Sequence, residues 1–208
     1  MIKRSLLLSL LLVAGGLQAQ DQAPDLAKAK QIAETLCVAC HGADGNSAVS
    51  ANPKLAGQIP EYLYKQLRNF KGWDGKAPER ENAVMSAMVA GLEDADMKSL
   101  AHYFAGQQLQ PEAAKNVETV ERGQQIWRAG IAEKGVPACA ACHGPAGAGI
   151  PAMYPRLSGQ FADYTEAQLK AFRDGVRSND PNQMMRMIAL KMTDAEMKAV
   201  SDYAAGLR

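Results

Sequence analysis

The sequence predicts an all-α protein built from two tandem copies of one small domain. Three observations lead to this prediction. The motif Cys-x-x-Cys-His occurs twice, the segments that follow the two motifs align with each other, and apolar residues recur at helical spacing. No stretch of useful length alternates apolar and polar residues as a half-buried strand would. A chain of 208 residues is long enough for two small domains.

The internal repeat keeps an almost constant spacing. CVACH at 37–41 and CAACH at 139–143 lie 102 positions apart. At the same spacing PKLAGQIPEYLYKQLRNF (53–70) aligns with PRLSGQFADYTEAQLKAF (155–172). After a two-residue deletion, LEDADMKSLAHYFAG (92–106) aligns with MTDAEMKAVSDYAAG (192–206). A similarity of this length with one short gap indicates a duplicated domain.

Helical periodicity identifies the main helices of each copy. Apolar residues recur every three or four positions in four segments: 60–70, 94–105, 162–172 and 194–204. Asp94 and Asp194 are predicted to cap the last helix of each copy, and Gly106 and Gly206 to end it. The second motif has a longer approach, RAGIAEKGVPA (128–138), which predicts a loop insertion there.

Residues 1–19 are predicted to be a secretory signal peptide. Two basic residues precede an apolar run from Leu6 to Ala14, and Leu17-Gln18-Ala19 suits a cleavage site. A single membrane helix is the alternative, but the apolar run is shorter than a bilayer requires. Removing this segment takes away two of the 23 basic residues and none of the 22 acidic ones, so the net charge changes from +1 to −1.

The rest of the chain divides into an N-terminal domain (20–108), a polar linker that contains Pro111 (109–118) and a C-terminal domain (119–208). The nearly neutral charge and the lack of a basic stripe exclude nucleic acid as a partner. Secretion places the four cysteines in an oxidising compartment, where they form disulfides or are held by a cofactor.

Cys-x-x-Cys-His is the attachment signature of c-type haem. The two cysteines lie on one helical turn, where each can form a thioether with a haem vinyl group, and the adjacent histidine points its imidazole at the iron. The sequence therefore predicts two covalently bound haem c groups. One is held by Cys37, Cys40 and His41, and the other by Cys139, Cys142 and His143.

Three other interpretations of the motif explain it less well. A thioredoxin-like redox pair needs a βαβ context, which this sequence lacks. A structural zinc site brings its cysteine pairs closer together, and consecutive cysteine and histidine fit one tetrahedral ion poorly. A plain disulfide leaves unexplained the histidine that follows both pairs.

Methionine is the usual second axial ligand in electron-transfer cytochromes. Of the ten methionines, two pairs coincide in the repeat: Met85 with Met185, and Met97 with Met197. The second pair lies inside the last helix in step with apolar neighbours, which favours core packing. Met85 and Met185 precede that helix, where a loop can fold over the distal haem face, and are predicted as iron ligands. The nearest alternatives are Met88 and Met184.

The repeat also sorts residues around the ligands. A ligating histidine normally donates its second ring proton to a carbonyl or carboxylate. Pro53 and Pro155 are candidates to supply that carbonyl, although a turn before a helix explains them equally well. His102 faces Asp202 in the alignment and is assigned to a solvated helix surface. Four paired residues either line the haem edge or simply pack: Gln58, Gln160, Tyr62 and Tyr164.

With these motifs and pairs, the chain resembles the cytochrome c4 family of periplasmic dihaem proteins, which consist of two class I cytochrome c domains. The resemblance extends over nearly all of the chain after residue 19. It implies thioether attachment at the four cysteines, and haem groups close to the domain interface. It also implies that His41 and Met85 ligate one iron and that His143 and Met185 ligate the other.

The same resemblance implies a periplasmic electron carrier. A quinol-oxidising complex would be its donor and a terminal oxidase its acceptor, with peripheral association at the inner membrane. An iron with two strong axial ligands has no site for substrate and changes charge without making or breaking bonds. The rival is an enzyme, a dihaem peroxidase or small-molecule oxidase, which needs one open or labile position. A bound subunit of a larger dehydrogenase or oxidase complex would retain the carrier chemistry.

Overall fold

The computed structural model describes residues 23–208. Its regular elements are all helical, and within this range the β-type pairing is limited to two isolated bridges, Ile131 with Val136 and Ile150 with Tyr154. The prediction of an all-α fold is confirmed. The predicted signal peptide (1–19) lies outside the described residues.

The N-terminal copy begins with a long helical run that leads into the first motif. The side chain of Asp25 caps this run by accepting a hydrogen bond from the backbone N–H of Lys28 at 2.9 Å. A π-helical turn (Ala33–Cys37) interrupts the run just before the motif. The α-helices of this copy are α1 (Leu26–Ile32), α2 (Val38–His41), α3 (Pro60–Phe70), α4 (Ala83–Val89) and α5 (Asp94–Ala105).

The C-terminal copy repeats this order of α-helices but differs in the short turns between them, since within the described residues it has no π-helical turn and adds a 3₁₀ turn (Pro181–Gln183) before its fourth α-helix. Between Gly130 and Ala138 the chain leaves the helix and forms a 3₁₀ turn (Ala132–Lys134) before the second motif. This segment confirms the predicted loop insertion. The α-helices of this copy are α6 (Val120–Ala129), α7 (Ala140–His143), α8 (Ala162–Arg173), α9 (Met184–Ala189) and α10 (Asp194–Ala205).

Each copy has its own hydrophobic core beneath its last helix. Helix α5 packs against α1 and α3, and α10 packs against α6 and α8. Met97 and Met197 are 0% exposed at the centres of the two cores, which confirms their predicted packing role. Helices α6 and α10 approach so closely that a Cβ at Gly123 would lie 2.3 Å from the carbonyl oxygen of Ala199. The exact boundaries of the two domains stay predictions.

The last helix of each copy begins with a reciprocal capping box. Glu93 caps α5 and Thr193 caps α10, each accepting a hydrogen bond from a backbone N–H one turn into the helix. In return, the carboxylates of Asp96 and Glu196 accept from the N–H of the capping residues. Two N–H groups at each helix start are thereby satisfied.

The prediction that Asp94 and Asp194 are the caps was wrong by one residue. Each is the first helical residue, because the extended backbone that a cap requires occurs at the preceding position. Their carboxylates instead pair with Arg68 and Arg173 from α3 and α8. The predicted helix ends are confirmed, since Gly106 and Gly206 follow the last helical residues.

The carboxylate of Glu196 makes the C-terminal copy sensitive to acid. Burial acts to raise the pKa of Glu196, but hydrogen bonds from the Lys134 ammonium at 2.8 Å and from Thr193 lower it to about 2. The depressed pKa means that the carboxylate contributes stability above its ordinary pKa of 4.5. This contribution is lost as the pH falls through about 2.

We therefore expect the free energy of unfolding of the C-terminal domain to decrease between pH 4.5 and about 2. Glu196→Gln should flatten this dependence and cost about 1 kcal/mol at neutral pH, the upper end for a partly exposed ion pair. Denaturant unfolding at a series of pH values measures both effects. Glu34→Gln, which removes an exposed pairing with Lys30, is the control. An unchanged pH slope in Glu196→Gln would contradict the prediction.

A buried arginine joins the two copies. Arg177 is 7% exposed, and its guanidinium donates to Tyr62 Oη and Gln66 Oε1 of the N-terminal copy, both at 3.1 Å. It also donates to Gln168 Oε1 of its own copy at 2.9 Å. Arg80 reaches across in the opposite direction and donates to the same Gln168 Oε1 at 2.7 Å. The domain interface therefore includes Tyr62 and the repeat-paired Gln66 and Gln168.

Candidate functional site

Both Cys-x-x-Cys-His motifs lie on short helices that end at the histidine. The first cysteine immediately precedes the helix, and the second cysteine and the histidine lie within it, so one turn presents all three side chains. Gly42 and Gly144 follow the histidines with φ angles of 74° and 79°, a conformation that favours glycine and ends each helix. The motif residues are Cys37 before α2 with Cys40 and His41 on it, and Cys139 before α7 with Cys142 and His143 on it.

The two histidines are held identically. Each is 7% exposed. The Nδ1 atom of His41 lies 2.9 Å from the carbonyl oxygen of Pro53, and Nδ1 of His143 lies 2.9 Å from that of Pro155. A carbonyl only accepts, so Nδ1 carries the proton and donates it. The prediction that these prolines supply the carbonyl is confirmed, and the other ring nitrogen, Nε2, keeps its lone pair for a metal.

The protonation state of the histidines suits metal binding. Burial lowers the pKa of His41 and of His143, and the hydrogen bond to the proline carbonyl opposes this shift without cancelling it. Both imidazoles are therefore neutral near pH 7, with one proton on Nδ1. A neutral imidazole with a fixed tautomer is the form that ligates iron.

Burial affects the first cysteine of each motif most strongly. Burial raises the pKa of Cys37 and of Cys139 to about 11, so both sulfurs are protonated at neutral pH. None of the four motif cysteines is joined in a disulfide. Cys40 is exposed, whereas Cys142 is partly buried.

The paired methionines lie near the same cores as the first cysteines. Met85 lies in α4 and packs against the N-terminal core together with Cys37. Met185 lies in α9 and packs against the C-terminal core together with Cys139. The segment that was expected to be a loop is thus a short helix in both copies. In each copy, one attachment cysteine and one predicted methionine ligand therefore pack against the same core.

The other methionines differ from this pair. Met88 is 38% exposed on the far part of α4, and Met184 is the first residue of α9 without packing against the core. His102 is exposed on α5, which confirms its assignment to the helix surface. The geometry therefore favours the paired Met85 and Met185 over the alternatives.

The residues present fit a haem c group. Each motif offers two thiols for vinyl groups and a neutral imidazole with a free Nε2 lone pair, and each copy adds one thioether sulfur. Apolar side chains that suit a porphyrin are exposed beside these groups. They include Leu36 and Val38 in the sequence around the first motif, and Val84 and Met187, which lie within two positions of Met85 and Met185 along the chain.

The sequence analysis missed two aromatic residues that surround the second histidine. The centroid of the Trp127 ring lies 6.4 Å from that of the His143 ring, and the centroid of the Tyr154 ring lies 6.2 Å from it. Trp127 also donates its indole N–H to the carbonyl oxygen of Pro145 at 3.1 Å. Neither aromatic residue recurs in the first copy at the spacing of the repeat, so the pairing rule could not find them.

Two all-α domains, each with a Cys-x-x-Cys-His helix and a histidine fixed by a proline carbonyl, define a c-type cytochrome with two haem sites. Comparison with known proteins agrees. The family model for cytochrome c matches residues 26–108 and again 120–207. Cytochrome c4 from Thiocapsa roseopersicina is 46% identical over 186 residues, which cover 88% of this chain and 92% of that relative.

A solved structure, reduced recombinant cytochrome c4 from Pseudomonas stutzeri, superposes with a TM-score of 0.82 at 36% identity, covering 89% of this chain and 100% of that one. The chain belongs to the cytochrome c4 family, and carries two covalently bound haem c groups for electron transfer. A further relative is named thiosulfate dehydrogenase electron acceptor, from Thiomonas intermedia. It is 42% identical, with 81% of this chain and 77% of that relative aligned.

Among residues 23–208, no helix has both the length and the apolar character needed to cross a bilayer.

Proposed function

We propose that this chain is a periplasmic electron carrier whose two irons are each held by one histidine and one methionine. His41 and Met85 ligate the first iron, and His143 and Met185 ligate the second. Thioether bonds at Cys37, Cys40, Cys139 and Cys142 attach the two haem groups.

One observation carries this proposal. In both copies the histidine donates through Nδ1 to a proline carbonyl at 2.9 Å, while the first cysteine and the repeat-paired methionine pack on one core. A site built twice with the same donor types indicates the same coordination in both domains. An enzyme of the rival class needs one iron with an open or labile position.

The protein residues determine how the site works. Bound haem supplies a one-electron couple between ferric and ferrous iron. The proline carbonyls hold the imidazoles in the tautomer that points Nε2 at the metal and raise their basicity. The methionine sulfur would stabilise the ferrous state of a bound haem and raise its reduction potential. With a histidine nitrogen and a methionine sulfur as ligands, no position would be left for a substrate, so the bound group would accept and release an electron without bond cleavage.

The oxidised holoprotein tests the ligand assignment. We expect low-spin spectra and an iron–sulfur charge-transfer band near the red end of the visible range, with an intensity that corresponds to two methionine ligands per chain. Potentiometry should give two positive midpoint potentials, high enough to accept electrons from a quinol-oxidising complex. A resting high-spin signal together with peroxide turnover would favour the enzyme, and a strongly negative potential would contradict methionine ligation.

We propose a quinol-oxidising complex as the donor and a terminal oxidase as the acceptor. The relative named as a thiosulfate dehydrogenase electron acceptor favours a second candidate, in which the electrons come from a sulfur-oxidising enzyme. Stopped-flow reduction of the oxidised holoprotein by each purified donor distinguishes the two. Fractionation of periplasm and inner membrane shows whether the carrier is peripherally bound.

A further inference from the structure

Two glutamines of the repeat cross the domain interface and bind equivalent backbone positions. Gln160 accepts from the N–H of Lys54 and donates to the carbonyl of Lys54, both at 2.9 Å. Gln58 does the same to Arg156, accepting at 2.8 Å and donating at 3.0 Å. Only one orientation of each side-chain amide satisfies both bonds, so donor and acceptor are well defined.

These contacts join directly to the histidines. The carbonyl of Pro53 and the N–H of Lys54 belong to one peptide group. That peptide accepts from His41 Nδ1 on one side and donates to Gln160 Oε1 on the other, each at 2.9 Å. In the other domain, the peptide between Pro155 and Arg156 accepts from His143 at 2.9 Å and donates to Gln58 at 2.8 Å.

We call each chain of hydrogen bonds from glutamine through the peptide group to histidine a relay. The domain interface shields both relays from water. Gln58, Gln160 and Lys54 are each 8% exposed. In such surroundings consecutive hydrogen bonds polarise one another. An acceptor on the peptide N–H increases the negative charge on the peptide oxygen, which then draws the imidazole proton more strongly. A more basic imidazole stabilises ferric iron and lowers the reduction potential.

We propose that Gln160 and Gln58 are crossed positioning residues: each tunes the iron of the opposite domain through the peptide group that holds its histidine. This inference rests on the proposed ligation by His41 and His143. It assigns a role to the repeat-paired glutamines that neither haem lining nor simple packing describes. Domain docking and the basicity of each histidine ligand are then controlled by the same side chain.

The test replaces each glutamine by methionine, which has similar volume but no strong acceptor. In the Gln160→Met holoprotein, the potential of the N-terminal haem should rise, with about a threefold change in its redox equilibrium constant. That change corresponds to about 28 mV at about 59 mV per tenfold. The C-terminal haem should move less. Gln58→Met should give the mirror pattern, raising the C-terminal potential.

Both midpoint potentials are measured by spectroelectrochemical titration, and haem methyl resonances assign each potential to its domain. Gln160→Glu keeps an acceptor oxygen. In contrast to Gln160→Met, it should leave the reduction potential of the N-terminal haem at the wild-type value or below it. Asn46→Leu is the control. The side-chain amide of Asn46 also donates to a backbone carbonyl, that of Gln108, and accepts from a backbone N–H, that of Gln110, but it does not touch either relay. It should leave both potentials unchanged.

The crossed relay would be overturned by any of three results: a potential shift confined to the haem of the mutated domain, equal potential shifts of both haems, or no shift. If one methionine variant does not assemble, the other methionine variant and Gln160→Glu still decide, because the two relays are independent. The wild-type holoprotein is titrated first. Absence of two histidine-ligated low-spin haems there would overturn the proposed function, whereas intact haems without the crossed pattern would overturn the relay alone.

Discussion

Replacing Met85 by alanine is expected to abolish the iron–sulfur charge-transfer band of one haem and to leave the other haem unchanged. Alanine offers no ligand, so the first iron loses the thioether that stabilises its ferrous state. Its reduction potential should fall on the order of 0.1–0.3 V, part of the roughly 0.8 V range that axial ligands control. Met185→Ala should have the same effect on the second haem.

Other methionines provide matched controls for this prediction. Met97→Ala removes a side chain that is 0% exposed and should cost about 2–5 kcal/mol of stability while both sulfur bands persist. Met88→Ala should change neither the spectrum nor the potentials. Loss of a sulfur band in Met88→Ala or Met184→Ala, with the band retained in Met85→Ala or Met185→Ala, would transfer the ligand role to the alternatives.

Trp127→Ala is expected to destabilise the C-terminal domain selectively. Trp127 is 1% exposed in the core beneath α10, and its indole N–H bonds the carbonyl of Pro145 at 3.1 Å. Removing the ring leaves a large cavity and an unsatisfied carbonyl, at a cost of about 3–5 kcal/mol. Because the ring also lies beside His143, the C-terminal haem should become easier to displace from its axial ligands.

Native-state hydrogen exchange measures this loss domain by domain. Amides in α6 and α10 should exchange faster in Trp127→Ala, whereas those in α3 and α5 should keep their protection. The chain has one other tryptophan, Trp73, which is partly exposed and contacts Arg68 at 4.1 Å. Trp73→Ala should cost less and act on the N-terminal domain. Equal loss of protection in both domains of Trp127→Ala would contradict the prediction.

Much of the candidate site could be predicted from sequence because its signals are local or repeated. The Cys-x-x-Cys-His spacing depends on a single helical turn, so it identifies the attachment residues without knowledge of the fold. The repeat then selected Met85 and Met185, and it suggested Pro53 and Pro155 as partners of the histidines. The helix starts were less predictable, since Glu93 and Asp94 are both acidic and only the backbone decides which of them is the cap.

The interface could not be derived from the same signals. Pairing in the repeat singled out Gln58 and Gln160 but assigned them no role, because both residues look the same whether they line a haem or pack. Their partners are 98 and 106 positions away, and no local rule relates such positions. Arg177 and Trp127 have no counterpart at the repeat spacing, so their burial appears only when the helices pack.

The amino-acid sequence by itself determined that this protein has two haem-binding motifs in a duplicated domain, and it predicted the histidine and methionine that we propose as ligands of each iron. Those features rest on short-range geometry, which a helical turn and a repeat already specify. Only the tertiary structure decided how the two halves meet. That outcome depends on side-chain amides and guanidinium groups losing water together in one interface, a condition set by packing between residues far apart in the chain.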